Sequence, residues 1–271
     1  MTPPIAWCNT HLAPHLVAVA YTASLLFEEE WRYRARLSKL PTWTLTLAAL
    51  GHDVGKAAPW YQEEAVSRCS RGWNPSFTLH EVLSSMVIAW LGASGAVDRE
   101  PAYVAAIAVW EHHHGMPGRL APLLTSINAA SKSRYAEALR AGFEALLHTL
   151  DFARSTALVR HLELPPIGER RRQVLIPCHS RKALEVVENN PRFSAAASSI
   201  AGFLAVADTL VASIERNPGK PVEALRGRYV YRYLKELMGG ETPLSRLLKF
   251  VTSTVLAIHE EYRRWVDEQP R

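Results

Sequence analysis

The stretch His52-Asp53-Val54-Gly55-Lys56 follows the apolar run Leu45, Leu47, Ala48, Ala49 and Leu50 and precedes Pro59, where a new helix is expected. An imidazole beside a carboxylate offers a nitrogen and an oxygen ligand at one helix end, and the two carboxylate oxygens can reach two metal ions. An isolated His-Asp pair more often satisfies local backbone groups at a helix end. Company raises this one: His15 upstream, His80-Glu81, the run His112-His113-His114-Gly115, and Asp208 within an apolar helical pattern. None of these pairs has zinc-finger spacing, so a site made from them has to be assembled from distant helices.

Outward from this stretch the chain reads as helices. Pro14 suits a first turn, and a helix is predicted from there to about Ser38, with Leu16, Val19, Ala20, Ala23 and Phe27 on its core face and His15 at the edge of that stripe. His11 competes with His15, and a lone histidine beside such a stripe is more often a core or surface residue than a ligand. In Trp31-Arg32-Tyr33-Arg34-Ala35-Arg36 cations alternate with aromatics, a composition that suits single-stranded nucleic acid. Glu28 with Arg32 and Glu30 with Arg34 are also i,i+4 pairs of the kind found on a solvated helix face. Further helices are predicted over Thr42 to Leu50, Pro59 to Arg68, His80 to Leu91, Ala102 to His113, Leu123 to Asn128 and Arg134 to Leu150. The last three are Phe193 to Arg216, Pro221 to Met238 and Pro243 to Val266. Gly51 and Gly55 are expected to free the backbone around His52 and Asp53. There is no internal repeat, no strand pattern and no Gly-rich phosphate loop, so no ATP-driven motor is expected within these residues. The fold class predicted is all-α, a helical bundle over residues 1–216 with a helical extension of the same domain over 217–271.

The polar groups placed on those helices have local readings as well as chemical ones. His80 opens its helix, where the positive end of the dipole favours a neutral ring. The three histidines at 112–114 close theirs, where a cationic cluster is an equally good account. An ionised Asp208 among Phe203, Leu204, Val206, Leu210 and Val211 has to be paired, hydrogen-bonded or metal-bound, and the metal is favoured. The run Glu169-Arg170-Arg171-Arg172, between proline-rich flanks, reads as a solvated loop. Arg228, Arg232 and Lys235 form a basic face. With 48% hydrophobic residues over 271 positions, the chain can bury a sizeable core. A net charge of +5 and a pI near 9.2 permit nucleic acid as a partner without requiring it. Cys8, Cys69 and Cys178 are far apart and lack any CxxC, so neither a disulfide framework nor a thiolate site is expected. No charged, apolar leader and no bilayer-length apolar run are read, so the expected location is cytoplasmic and no membrane partner is expected.

The order HLxxVA at His15 to Ala20, HDxGK at His52 to Lys56, His80-Glu81, HHG at His113 to Gly115, and Asp208 within ADTLVAS resembles the HD superfamily of metal-dependent phosphohydrolases. More narrowly it resembles the CRISPR-associated HD nuclease of type I systems, in the form separate from its helicase, over about residues 10 to 215. The resemblance implies two divalent ions bridged by Asp53, with His15, His52 and Asp208 on one side and His80, His113 and His114 on the other. His112 leaves the register of that last pair open. It also implies that Lys56 offsets charge on the phosphate oxygens and that Ser213 helps bind substrate. The imidazole-rich set favours Mn, Ni, Co or Fe over Mg alone. The expected function is metal-dependent cleavage of single-stranded DNA exposed by a CRISPR surveillance complex, with a separate helicase subunit. The competing expectations are an HD phosphohydrolase or phosphodiesterase acting on nucleotides or cyclic dinucleotides, and a helical adaptor keeping these residues for structure alone.

Overall fold

The computed structural model describes residues 3–113, 132–167 and 179–269, and apart from one short hairpin its regular structure is helical. Strands β1 (Ile5–Trp7) and β2 (Thr10–His11) pair antiparallel and lead directly into α1 (Leu12–Ser38). The sequence pattern had no strand there, because two strands this short carry no readable alternation. In α1 every residue from Leu12 to Ala23 is buried, so this half runs through the middle of the molecule. Its second half is one-sided: Phe27, Trp31 and Ala35 face the core, while Arg32 reaches Glu28 at 2.5 Å and Arg34 reaches Glu30 at 2.7 Å on the outer face.

Helix α2 (Trp43–Gly51) is buried from Thr44 to its end and packs against α1. A single 3-10 turn, Val54–Ala57, follows, and α3 (Pro59–Ser70) lies on the surface with only Ala65 buried. Helices α4 (His80–Ala93) and α5 (Arg99–Glu111) pack closely, with Gly92 against Ala102. Helix α5 starts before Pro101, not after it, since a first-turn proline costs no helical hydrogen bond. Then come α6 (Lys132–Ser155), α7 (His179–Glu188) and α8 (Pro191–Arg216), the last packed on α1 and α5.

The helix predicted over Pro221 to Met238 is two, α9 (Pro221–Leu225) and α10 (Tyr229–Leu237), separated at Gly227, whose φ of +87° is open to glycine and strained for other residues. Helix α11 (Glu241–Glu268) buries Leu244, Leu248, Val251, Val255, Ile258 and Tyr262 and packs on α1 and α8. At about 1.5–3 kcal/mol per large apolar side chain, before ordering entropy, this seam binds α11 firmly to the bundle.

Two further expectations are corrected. The structure joins Cys8 to Cys69, with Cα atoms 5.3 Å apart, across 61 residues of sequence. That pairing arises because the hairpin docks beside the end of α3, a long-range contact with no local signature. Helix α8 is long and apolar enough by composition to cross a membrane, and is the one described helix that is. It is a core helix of the bundle, with 61% of its most apolar window buried and Asp208 on its length. The predicted helix from Leu123 to Asn128, the Arg170 to Arg172 run and Cys178 lie outside the described residues.

Candidate metal centre

Six elements bring their polar residues to one place. His15 comes from the first turn of α1, His52 from just beyond α2, Asp53 from the start of the 3-10 turn, His80 from the start of α4, and His112 and His113 from just beyond α5. Asp208 enters from the side, midway along α8. The donor atoms form two groups, each within 4.8 Å of one another: His15, His52, Asp53 and Asp208, and Asp53, His80, His112 and His113. Asp53 belongs to both. Its Oδ2 lies 3.4 Å from His15 Nε2 and 3.5 Å from His52 Nε2, and its Oδ1 lies 2.6 Å from His80 Nε2. Asp208 Oδ1 closes the first group at 3.4 Å from His15 Nε2 and 3.8 Å from His52 Nε2.

The packing that makes this possible is tight. Gly55 N–H donates to Ser84 Oγ at 2.8 Å, and a Cβ on Gly55 would sit 2.2 Å from the His80 carbonyl oxygen. Similarly, a Cβ on Gly51 would meet the Ile88 side chain at 2.6 Å. Neither glycine has a positive φ, so their role is close approach to α4 and not the turning freedom expected from the sequence. Leu79, just before His80, does adopt a left-handed φ of +67°, a strained position of the kind that gathers at sites.

Ring orientation is set by hydrogen bonds at the opposite nitrogen. Nδ1 of His52, His80 and His112 meets the carbonyl oxygens of Ala49, Phe77 and Val109 at 2.8, 2.5 and 2.5 Å, in each case three residues earlier. His15 Nδ1 instead meets Glu215 Oε2 at 2.9 Å. The Nε2 atoms of His15, His52 and His112 are buried and make no hydrogen bond among the described residues, and buried His80 Nε2 and Asp53 Oδ1 meet only each other, at 2.6 Å. Buried polar atoms left so are costly unless a ligand takes them up. Four ring nitrogens aimed at a shared carboxylate, each held by its far side, are the donor set of a divalent metal centre, and the residues fit one.

Charge supports the same reading. Burial lowers the pKa of His15, but Glu215 first, then Asp208 and Asp53, outweigh it and hold the ring well above the ordinary histidine range. Burial likewise opposes ionisation of Asp53, yet Lys56, His52 and His80 keep it well below the usual carboxylate range. Asp208 is held low despite burial by His15 and His52. Three carboxylates around one imidazole demand positive charge. At the end of α5 the opposite holds: burial, with neighbouring histidines, drives His112 well below its usual value and His113 down to about 4. For His112 and His113 this disfavours the cationic form that a helix-end charge cluster needs and favours the neutral form that a ligand needs.

Lys56 is buried and its Nζ lies 2.5 Å from Asp53 Oδ2, above the faces of Trp7 and Phe77. Ser213 is buried on α8, and its hydroxyl donates to the Thr209 carbonyl oxygen at 2.7 Å within the helix. His11, the rival of His15, faces the Tyr262 ring at the other side of the hairpin. His114 lies outside the described residues, and the described pair beside His80 is His112 with His113. Three participants escaped the sequence reading. Glu215 was signalled by its seven-residue spacing from Asp208, which puts both on one face of α8. Trp7 and Arg216, whose guanidinium stacks 3.5 Å from the Trp7 ring, had no local signal.

A helical bundle presenting a His-Asp pair, with histidines and an aspartate delivered by separate helices, defines the HD class of metal-dependent phosphohydrolase. The family model described as Cas3, HD domain, matches residues 6–216, and the chain belongs to that family. It is accordingly a metal-dependent nuclease of CRISPR type I systems, a hydrolase whose family binds divalent metals and acts on nucleic acid. No curated protein and no solved structure matches the chain.

Proposed function

We propose that the protein cuts single-stranded DNA at a centre of two divalent cations, one held by His15, His52 and Asp208, the other by His80, His112 and His113, with Asp53 between them. Five imidazoles favour Mn, Ni, Co or Fe in preference to Mg. When bound, such ions neutralise a scissile phosphodiester and lower the pKa of water enough for it to ionise near neutral pH. The chain's own contribution is to hold the ligands rigidly, to exclude water from the buried side, and to bring the Lys56 ammonium to the centre as a positive charge for the phosphate oxygens.

The observation that carries the choice of substrate is the cavity beside the cluster. It is an open-sided cavity of about 540 Å³ lined by His112, His113 and Asp208 together with Arg34, Arg228, Tyr229 and Tyr233. Tyr229 is 67% exposed and its ring stacks near-parallel on Tyr233, 6.0 Å between centroids. A nucleotide hydrolase encloses its substrate, whereas a strand needs an open path with cations for phosphates and ring faces for bases. The groove has the second character. We further propose that a separate helicase subunit of the CRISPR surveillance complex supplies the strand, in the cytoplasm.

Incubation of the protein with circular single-stranded DNA and a panel of divalent metals, beside a panel of nucleotides and cyclic dinucleotides, tests the proposal. Cleavage of the circle with Mn²⁺ is expected. Turnover of a nucleotide with the circle intact would replace the strand reading with the small-molecule one. Tyr229→Ala should weaken oligonucleotide binding, measured by fluorescence anisotropy, by about the 1–3 kcal/mol of one stacked base.

A further inference from the structure

Three of the site histidines, His52, His80 and His112, are anchored by a backbone carbonyl three residues earlier, whereas His15 is anchored by a side chain from another helix. Its anchor Glu215 belongs to α8, is 2% exposed at the side chain, and spends both oxygens on imidazoles: Oε2 with His15 Nδ1 at 2.9 Å and Oε1 with His259 Nε2 at 2.8 Å. His259 stands on α11, beyond the residues 6–216 that the family model matches. On the far side of the His15 ring, Nε2 faces Asp53 and Asp208 at 3.4 Å each and makes no hydrogen bond among the described residues. One unbroken chain of contacts therefore runs from the C-terminal helix to the ligand atom of His15.

A carboxylate that accepts the Nδ1 proton of a ligating histidine fixes its ring and strengthens the donor nitrogen opposite. A carboxylate bound through one oxygen alone can still turn about its last torsion. The second contact, from His259, removes that freedom, and the seam of Leu248, Val251, Val255, Ile258 and Tyr262 holds His259 in place. We infer that His259 is a positioning residue of the metal centre: through Glu215 it orients His15, so the C-terminal helix sets the affinity of the cation position formed by His15, His52, Asp53 and Asp208. The inference rests on the two-cation reading above and adds to it an outer residue that the family-matched segment lacks.

Titration of the metal-free full chain with Mn²⁺ by calorimetry, for wild type, His259→Ala, His259→Phe and His259→Gln, decides it. Wild type is expected to take up two ions. In His259→Ala one of the two positions should weaken by about 10-fold or more while the other keeps its affinity. His259→Phe fills the same space without a donor and should behave like the alanine variant, which covers the case in which alanine loosens α11. His259→Gln offers an amide N–H to Glu215 Oε1 and should recover most of the loss. Wild-type affinity at both positions in the alanine and phenylalanine variants overturns the inference and leaves the two-cation reading standing. So does equal weakening of both positions with no recovery in His259→Gln, since that is general loosening of the bundle. A wild-type protein that binds no Mn²⁺ overturns both.

Discussion

Asp53 and Lys56 touch at 2.5 Å, yet the proposed chemistry gives them separate duties. Asp53→Ala removes the one carboxylate shared by both ligand groups, so metal content and cleavage should collapse together. Lys56→Ala leaves every proposed ligand in place, so metal content should hold while cleavage falls by about 100-fold, the usual cost of a lost electrostatic contact to the reacting phosphate. Mass-spectrometric metal content with single-turnover cleavage of single-stranded DNA checks both variants, and loss of metal from Lys56→Ala would make the lysine a support for Asp53 instead. Away from the site, His148 Nε2 meets Tyr262 Oη at 2.9 Å, and burial, with His11 nearby, lowers its pKa from the ordinary 6.5 while Asp151 opposes. A folded-state value below the unfolded one means that the folded chain binds fewer protons. The stability it contributes is then full above pH 6.5 and is lost as pH falls from there through the lower folded-state value. His148→Gln keeps a partner for Tyr262 without titrating, so its urea midpoint should drop less than wild type's between pH 7 and pH 5, roughly the window below the ordinary histidine value.

Among the elements, the 3-10 turn and the start of α4 are the most constrained pair. Asp53 meets His80 only because Gly55 lies flat against the first turn of α4, with no room for a Cβ beside the His80 carbonyl and the Ser84 amide. Backbone cannot yield as a side-chain tip can, so Gly55→Ala should destabilise the protein by about 1–3 kcal/mol. Urea denaturation of the metal-free protein reads that directly. The same substitution should reduce Mn²⁺ uptake by spreading Asp53 from His80, and an unchanged midpoint with full uptake would refute this account of the glycine. The end of α5 shows a different constraint: His112 is buried and tethered to Val109, and burial disfavours the charged form of its ring.

For the molecule as a whole, the ligands sit mostly at helix ends while the core is built by α1, α2, α4, α5 and α8, closed by the α11 seam. Removing metal exposes none of that apolar surface, and Lys56 and His15 remain to offset Asp53 and Asp208. EDTA should therefore abolish cleavage and leave the helical circular dichroism nearly unchanged, with activity restored by Mn²⁺. Collapse of the helical signal on chelation would make the centre structural.

Most helices were legible in the sequence, because apolar spacing in α1, α4 and α8 and the proline opening α3 are local signals, although α8 begins at Pro191, two residues before the expected Phe193. The His-Asp pair, His15, His80 and Asp208 were legible too, since a charged or ligating group inside an apolar helix pattern stands out against its neighbours. Tertiary structure alone decided how these residues are used. It turned the two oxygens of Asp53 toward different histidines, brought His112 to the cluster with His113, spent the Ser213 hydroxyl on its own helix, and gave Gly51 and Gly55 a packing role in place of a turning one. It also joined Cys8 to Cys69 and tied His259 to His15 through Glu215. The physical reason is the same in each case. A residue's type and helical phase are written in its neighbours along the chain, whereas the direction of a side chain at a helix end depends on the helix packed against it.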